Sequence, residues 1–229
     1  MPSSAARHPA ATANLKVLRE ELTFRCSTRV CRVFAGYQVE SDQPVTAILD
    51  FMLPVDAPVT ARIGAVSAAP TVTSAELVAG EIDQRLNLRQ SFYLPDAKPL
   101  PPLYRASVSV SFVRGRNQIT FEYQQPLAAI ERGHGYFSEG RMLPEFQYLL
   151  WPLKEWTRAS DFAIELRVEI DRSPPSLWKR TFGHPVGVAC DGVVGKQEQE
   201  ENQLVFRAHL NDAFPDVLHC RIGENDLLR

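Results

Sequence analysis

The chain lacks several features that would assign it to a common functional class. Lysine and arginine number 25 and aspartate and glutamate number 27, so the net charge of −2 gives no basic surplus for nucleic acid or an anionic membrane. No apolar run approaches the roughly 20 residues that a transmembrane helix needs. No C-x-x-C pair, phosphate-binding glycine loop or G-x-S-x-G motif occurs. We therefore predict no transmembrane segment, no nucleic-acid partner, no catalytic motif, no metal and no cofactor.

The N-terminal segment, residues 1–13, lacks any regular apolar pattern. It is rich in alanine, serine, threonine and proline, which predicts a disordered segment. It also lacks the apolar centre of a signal peptide. Two interpretations follow: a cytoplasmic protein, or the mature chain of an exported protein with an added methionine. The small residues 10–13 suit a mature N-terminus and favour the second interpretation.

Helical periodicity is scarce, and alternation of apolar and polar residues predominates. This alternation occurs in six segments, at residues 45–51, 59–65, 108–112, 119–123, 162–170 and 204–210. Strands with one face on a core and one face in water have this pattern. A single helical turn is predicted near Pro152. We predict an all-β, antiparallel, immunoglobulin-like β-sandwich, built either as one unit or as two packed sub-domains.

Prolines separate two groups of predicted strands. Residues 95–102 have the sequence Pro-Asp-Ala-Lys-Pro-Leu-Pro-Pro, which is too rich in proline for a central strand. The composition predicts a stiff, extended connector. It divides the chain into a first β-sandwich half, residues 14–94, and a second half, residues 103–229. The alternative is a long crossover within one sandwich.

Cysteines are few, and two of the four flank a predicted hairpin turn. If a two-residue turn follows Ser27, Cys26 faces Cys31 and Phe24 faces Val33 on one apolar face. In this register the cysteines form a non-hydrogen-bonded pair, whose Cα atoms lie about 4.5 Å apart. That separation is at the lower end of the range for a disulfide. The spacing therefore predicts a hairpin closed by a disulfide.

The other two cysteines, Cys190 and Cys220, also lie on apolar faces of predicted strands. Four cysteines allow three pairings, and the hairpin favours Cys26–Cys31 together with Cys190–Cys220. The alternative is four buried free thiols, because reduced cysteine is a small apolar residue. Disulfides are typical of oxidising compartments. We therefore expect a periplasmic or secreted protein, with a cytoplasmic protein as the alternative.

One glycine-rich loop carries the best candidates for chemistry. Within residues 131–141, His134 could act as a base or a ligand, with Glu131 or Glu139 as its carboxylate partner. Because no nucleophile motif or metal-ligand spacing accompanies the loop, an ordinary surface loop is the alternative. The loop supports one functional hypothesis, a hydrolase.

Further histidines and carboxylates give weaker hypotheses. His209 and His219 lie on the polar faces of strands that could be neighbours, where they would suit a transition metal. No third ligand stands at a fixed spacing from them. Glu139 and Glu145 could serve as the two carboxylates of a glycoside hydrolase, although nothing in their spacing selects them.

Tryptophans are concentrated in one part of the chain. Trp151, Trp156 and Trp178 follow the aromatic residues Phe146 and Tyr148. Exposed indoles on a β-sandwich could stack on sugar rings, whereas buried indoles would belong to the core. Trp151 and Trp156 are therefore ligand candidates, and a carbohydrate- or small-ligand-binding module is a second functional hypothesis.

The aromatic segment also carries a resemblance to a known group of proteins. Residues 146–148 precede Trp-Pro-Leu-Lys-Glu-Trp at 151–156, and the chain resembles uncharacterised bacterial exported β-sandwich proteins. The other segments that carry the resemblance are residues 51–54, 117–123, 162–170 and 204–222. The resemblance implies an exported all-β protein and implies no activity.

Together these patterns favour a function without catalysis. The leading hypothesis is an exported bacterial envelope protein that binds another protein, or itself, as a binding or assembly module. Edge strands of a disulfide-linked scaffold can accept a strand from a partner.

Overall fold

The computed structural model describes residues 14–27, 29–64, 66–68, 71–75, 103–132, 141–171, 185–200, 203–211 and 213–228. Most of these residues lie in strands. In chain order the elements are β1 (Leu15–Cys26), β2 (Val30–Ser41), β3 (Val45–Leu53), β4 (Thr60–Ile63), β5 (Val66–Ala68), β6 (Thr71–Ala75), β7 (Leu103–Phe112), β8 (Gly115–Pro126), β9 (Ala128–Arg132), β10 (Arg141–Leu149), α1 (Trp151–Lys154), β11 (Arg158–Asp171), β12 (Val186–Cys190), β13 (Lys196–Glu200), β14 (Gln203–Leu210) and β15 (Val217–Glu224).

The strands form three sheets. The largest, sheet A, has eight strands in the order β13-β14-β11-β1-β2-β8-β4-β5. Sheet B has three strands in the order β3-β7-β6, and sheet C has four in the order β12-β15-β10-β9. The predicted all-β sandwich class is confirmed, and the immunoglobulin-like detail stays a prediction. The single turn α1 is where a helical turn was expected, with Pro152 in its first turn.

Sheet A combines strands from both sides of the predicted connector. Its centre is a parallel pair, β1 with β11, in which Phe24 is paired with Val168, and its other strand pairs are antiparallel. A long crossover within one sandwich, the alternative to two sub-domains, produces such a shared sheet. Residues 95–102 and the segment 1–13 lie outside the described residues, so their predicted extended and disordered states stay predictions.

Both predicted disulfides are present. The hairpin of β1 and β2 has the expected register, with Cys26 opposite Cys31 and Phe24 opposite Val33. The Cα atoms of Cys26 and Cys31 are 4.0 Å apart. Cys190 and Cys220 are paired across β12 and β15, with their Cα atoms 4.1 Å apart. The described residues contain no free cysteine.

Aromatic side chains join the three sheets. Phe24 of sheet A lies 4.4 Å from Phe146 of sheet C, measured between ring centroids. Phe51 of sheet B stacks on Phe121 of sheet A at 4.6 Å and contacts Tyr148 of sheet C at 6.2 Å. Because rings bury a large apolar area, this junction is the centre of the core.

The opposite face of sheet A is polar. Arg25 and Arg167 both contact Glu169, at 2.9 and 2.5 Å. Arg25 and Arg32 both lie over the Phe34 ring, 5.0 and 5.2 Å from its centroid. The arginines are partly exposed, whereas Glu169 is buried beneath them. No helix among the described residues is long and apolar enough to span a membrane.

Candidate functional site

A cavity lies where the three sheets meet. Its floor is the inner face of sheet A, where alternate residues of β1, β2 and β8 point inward. The floor residues are Val17, Tyr37, Val39, Ile119 and Phe121. All but Tyr37 are at most 3% exposed, so this wall is held in place by the surrounding core.

The sides of the cavity come from sheet B and from the segment that follows β10. Four consecutive β3 residues, 49–52, line one side. The other side is formed by Leu149, Pro152, Leu153 and Trp156, which belong to the end of β10 and to α1 and its flank. The cavity has a volume of about 50 Å³. This is room for several water-sized groups, such as a short aliphatic chain or a single aromatic ring.

A buried polar cluster adjoins the cavity at Tyr37. The hydroxyls of Tyr37 and Tyr148 are 2.8 Å apart, and the Tyr148 hydroxyl donates a hydrogen bond to Glu20 Oε1 over 3.1 Å. The side chain of Glu20 is 0% exposed. Its second oxygen, Oε2, has no hydrogen-bond partner of normal geometry among the described residues. An unpartnered buried oxygen is costly, and more so when it carries charge.

Burial controls the ionisation of this cluster. It raises the pKa of Glu20 from 4.5 to about 7, and the hydroxyls of Tyr37 and Tyr148 act in the opposite direction. Burial, followed by the proximity of Glu20, raises the pKa values of Tyr37, Tyr123 and Tyr148 above the ordinary value. The tyrosines are therefore neutral donors at physiological pH, and Glu20 changes charge near neutrality.

Strand parity and a bulge place Glu20 in the core. Leu22 and Phe24 point inward, and the same alternation brings Glu20 to the inner face opposite Tyr37. The pairing of β1 with β2 shifts between Val17 and Arg19, which brings Val17 inward as well. Glu20 was not among the predicted site residues, although its parity with the apolar face was a usable signal.

A second polar cluster lies on sheet C. His219 contacts Glu145 through Nε2 at 2.9 Å and Asp191 through Nδ1 at 2.8 Å. Arg221 also contacts Asp191. The hydrogen bond to Glu145 raises the pKa of His219; burial opposes this increase, and Asp191 adds to it. Because the two ring nitrogens face different carboxylates, this arrangement favours the imidazolium form of His219.

The predicted ligand residues differ in whether they line the cavity. Trp156 lines the cavity, whereas Trp151 does not, and the buried Trp151 Nε1 has no hydrogen-bond partner in the described part of the chain. Both indoles are half-buried. His134 and Glu139, like Trp178, lie outside the described residues, so the predicted hydrolase loop stays a prediction.

The predicted pairing of His209 with His219 is wrong. His209 is on β14 of sheet A and contacts Glu165 at 2.8 Å, while His219 is on β15 of sheet C. The two strands are therefore not neighbours, since each pairs within a different sheet. Within the described ranges, no group of three or more His, Cys, Asp or Glu side chains is suited to hold a metal ion.

The fold and the cavity define an all-β protein with an apolar pocket beside a buried carboxyl. No protein-family profile matches the chain, and no characterised protein matches its sequence. Among solved structures, an M1 zinc metallopeptidase from Deinococcus radiodurans is similar with a TM-score of 0.44 and 11% identity, over 92% of this chain and 42% of that one. The chain thus spans less than half the length of that enzyme. A protein from Legionella pneumophila described as nutrient-binding has a TM-score of 0.49 and 9% identity, over 90% of this chain and 67% of that one.

Proposed function

We propose that the protein is an exported, non-enzymatic binding protein whose cavity holds a compact apolar ligand. The observation that supports this proposal is the cavity itself, a space of about 50 Å³ at the junction of three sheets. Binding sites are commonly concave, apolar and supplied with few polar groups. Here Tyr37 supplies a hydroxyl beside a mostly aliphatic and aromatic wall, with Trp156 at the opposite side.

Two disulfides favour an extracytoplasmic protein, because such bonds persist mainly in oxidising compartments. Intact mass after thiol alkylation, with and without prior reduction, tests this part of the proposal. We expect no alkylation before reduction and four alkylated thiols after it. Four alkylated thiols without reduction, on protein made in an oxidising compartment, would instead favour the cytoplasmic alternative.

The polar groups beside the cavity favour binding over catalysis. Glu20, Tyr37 and Tyr148 interact with one another. They do not form the pair of nucleophile and general base that covalent catalysis requires. The cavity wall offers mainly apolar contact, with the hydroxyl of Tyr37 and the carboxylate of Asp50, which accepts a hydrogen bond from Ser107. These are the properties of a site that selects a ligand by shape.

A cavity-filling variant tests the proposed site. We expect benzene or xenon to bind the wild-type protein, and Val39→Phe to lose this binding because the larger side chain occupies the cavity. Ligand-observed NMR measures the binding, and near-UV circular dichroism checks that the variant is folded. Val194→Phe is the matched control, because Val194 is 94% exposed. Binding to Val39→Phe that equals wild-type binding, or no binding to wild type, would overturn the proposal.

A protein-binding module is the second candidate, and strand β3 favours it. Within the described residues β3 pairs only with β7, and Ile48 on this strand is 62% exposed. The one charged residue of this edge strand, Asp50, has a side chain that is only 7% exposed. Such a largely apolar edge can pair with a strand from a partner or from a second copy. If β3 mediates self-association, Ile48→Lys will reduce the mass measured by light scattering at high concentration. An unchanged monomer in both proteins would count against this candidate.

A further inference from the structure

Tyr37 belongs to both the cavity and the buried polar cluster. Its side chain lines the cavity floor, and its hydroxyl lies 2.8 Å from the hydroxyl of Tyr148. Tyr148 in turn donates to Glu20 Oε1. Tyr37 therefore links the buried polar cluster to the floor of the cavity.

The surroundings of Glu20 leave few groups that can respond to its charge. Tyr37 faces it from β2, Tyr148 from β10 and Tyr123 from β8, and Ile164 of β11 is its register partner on the other side of β1. The described groups that affect its ionisation include no charged side chain. Of these groups, only the tyrosine hydroxyls can donate a hydrogen bond to a newly formed carboxylate.

We propose that ligand binding in the cavity is coupled to the protonation of Glu20 through Tyr37, so that the cavity accepts its ligand when Glu20 is neutral. This inference rests on the proposed function. When Glu20 loses its proton, charge develops on the buried carboxylate, whose Oε2 has no hydrogen-bond partner of normal geometry among the described residues. The Tyr37 hydroxyl interacts with both Glu20 and Tyr148, so it is drawn closer to the carboxylate, and the ring that lines the cavity shifts with it. The cavity floor then changes, and the ligand binds less well.

The coupling is reciprocal. If the ligand binds the neutral form more tightly, then ligand binding favours proton uptake by Glu20 to the same extent. Near neutral pH, ligand binding should therefore be accompanied by uptake of a fraction of a proton per protein molecule. The ligand needs no charge of its own for this effect, since the coupling acts through the wall of the site.

The test uses benzene as the probe and compares its affinity at about pH 5.5 and about pH 8.5, on either side of the Glu20 transition. We expect wild-type affinity to fall about five-fold or more at the higher pH, within the usual range of coupling between sites. Glu20→Gln, which keeps the shape and cannot ionise, should bind with the same affinity at both pH values. Tyr37→Phe keeps the ring and removes the hydroxyl, so it should also lose the pH dependence.

A second measurement follows Tyr37 without a ligand. The ring signals of Tyr37 in NMR spectra should move with pH in the wild-type protein and should not move in Glu20→Gln. Benzene binding that is equal at both pH values would overturn the coupling and leave the proposed function intact. Absence of benzene binding at either pH would overturn the proposed function and the coupling together. Tyr37 signals that do not move with pH in the wild-type protein would overturn the link between Tyr37 and Glu20.

Discussion

Glu20 is a single side chain whose ionisation should change the stability of the whole fold. Its folded pKa of about 7 is higher than its ordinary value of 4.5, because burial penalises the charge. The native state therefore holds a proton that the unfolded state has released between these values. Its stabilising contribution is complete below about pH 4.5 and is lost as the pH rises through about 7.

We predict that Glu20→Gln removes this pH dependence and stabilises the protein at alkaline pH. The full effect is on the order of 3 kcal/mol, from a difference of about 2.5 pH units between the two states. Urea unfolding at a series of pH values measures it. Glu21→Gln is the matched control, because the neighbouring Glu21 is exposed on the outer face of the same strand. A wild-type protein whose unfolding free energy does not fall between about pH 5 and pH 8 would contradict this assignment.

His219 should also stabilise the protein more at low pH. Its hydrogen bonds to Glu145 and Asp191 favour the imidazolium and raise its folded pKa above 6.5. The sign is therefore the same as for Glu20: the contribution is complete below about pH 6.5 and is lost as the pH rises through the higher, folded pKa. The contribution of Glu20 begins to fall at lower pH, near its ordinary pKa.

We predict that His219→Gln destabilises the protein by about 1–2 kcal/mol at low pH and by less at high pH, because the amide replaces two charge-assisted hydrogen bonds incompletely. Urea unfolding at about pH 5.5 and about pH 8.5 measures the difference. His209→Gln is the control, since His209 is exposed and contacts Glu165 alone. An equal loss for both variants would mean that the two carboxylates add nothing to His219.

The bulge in β1 sets the side-chain orientation at the N-terminal end of this strand. Val17 is paired with Val39 and Arg19 with Gln38, so Leu18 is the extra residue. Its removal would leave both pairs with β2 unchanged and would restore regular alternation along β1, because Val17 and Arg19 would then be adjacent. The irregularity opposite β11, where Val17 is paired with Arg158 and Arg19 with Ala163, would remain. A deletion elsewhere in β1 would shift the pairs on one side of it by one residue.

We predict that deletion of Leu18 keeps the fold and costs about 1–2 kcal/mol, mainly through the lost packing of a half-buried leucine. Deletion of Thr23, in the regular part of β1, should prevent folding because it would turn Glu20 and Leu22 away from their inward positions. Circular dichroism and urea unfolding of the two deletions compare them. Similar losses for both would show that the bulge has no separate role.

The elements were predictable from the sequence to different extents. Alternation at residues 162–170 and 204–210 identifies two neighbouring strands of sheet A, and the spacing of Cys26 and Cys31 gives the register of the first hairpin. These are local signals, because side-chain parity is fixed within each strand. The parallel pairing of β1 with β11 has no such signal, since it joins residues more than 130 positions apart.

The candidate site was less predictable, because it too is formed by segments that are far apart in the chain. Trp156 was a candidate because of its residue type, and it does line the cavity. Yet the cavity exists only where β1, β3 and α1 meet, and no local pattern places these elements together. Glu20 shares the parity of the apolar face, but the sequence alone does not distinguish a buried carboxyl from one at the frayed start of a strand.

The architecture of the whole molecule predicts how it responds to a break in the chain. Sheet A joins β2 to β8 through 12 residue pairs, and these strands lie on opposite sides of residues 95–102. The parallel pairing of β1 with β11 adds a second connection across the same boundary. Two halves that share one sheet bury apolar surface against each other and should remain associated after a cut.

We predict that a protease site inserted within residues 95–102 yields two fragments that elute together in size-exclusion chromatography under native conditions and separate in urea. The uncut protein with the same insertion is the control, and it should elute at the same volume as the cut protein. Fragments that separate under native conditions would indicate two sub-domains that fold independently. Because the cavity is lined by residues from both fragments, the cut and associated protein should also retain benzene binding, and loss of binding with intact association would show that the connector constrains the site.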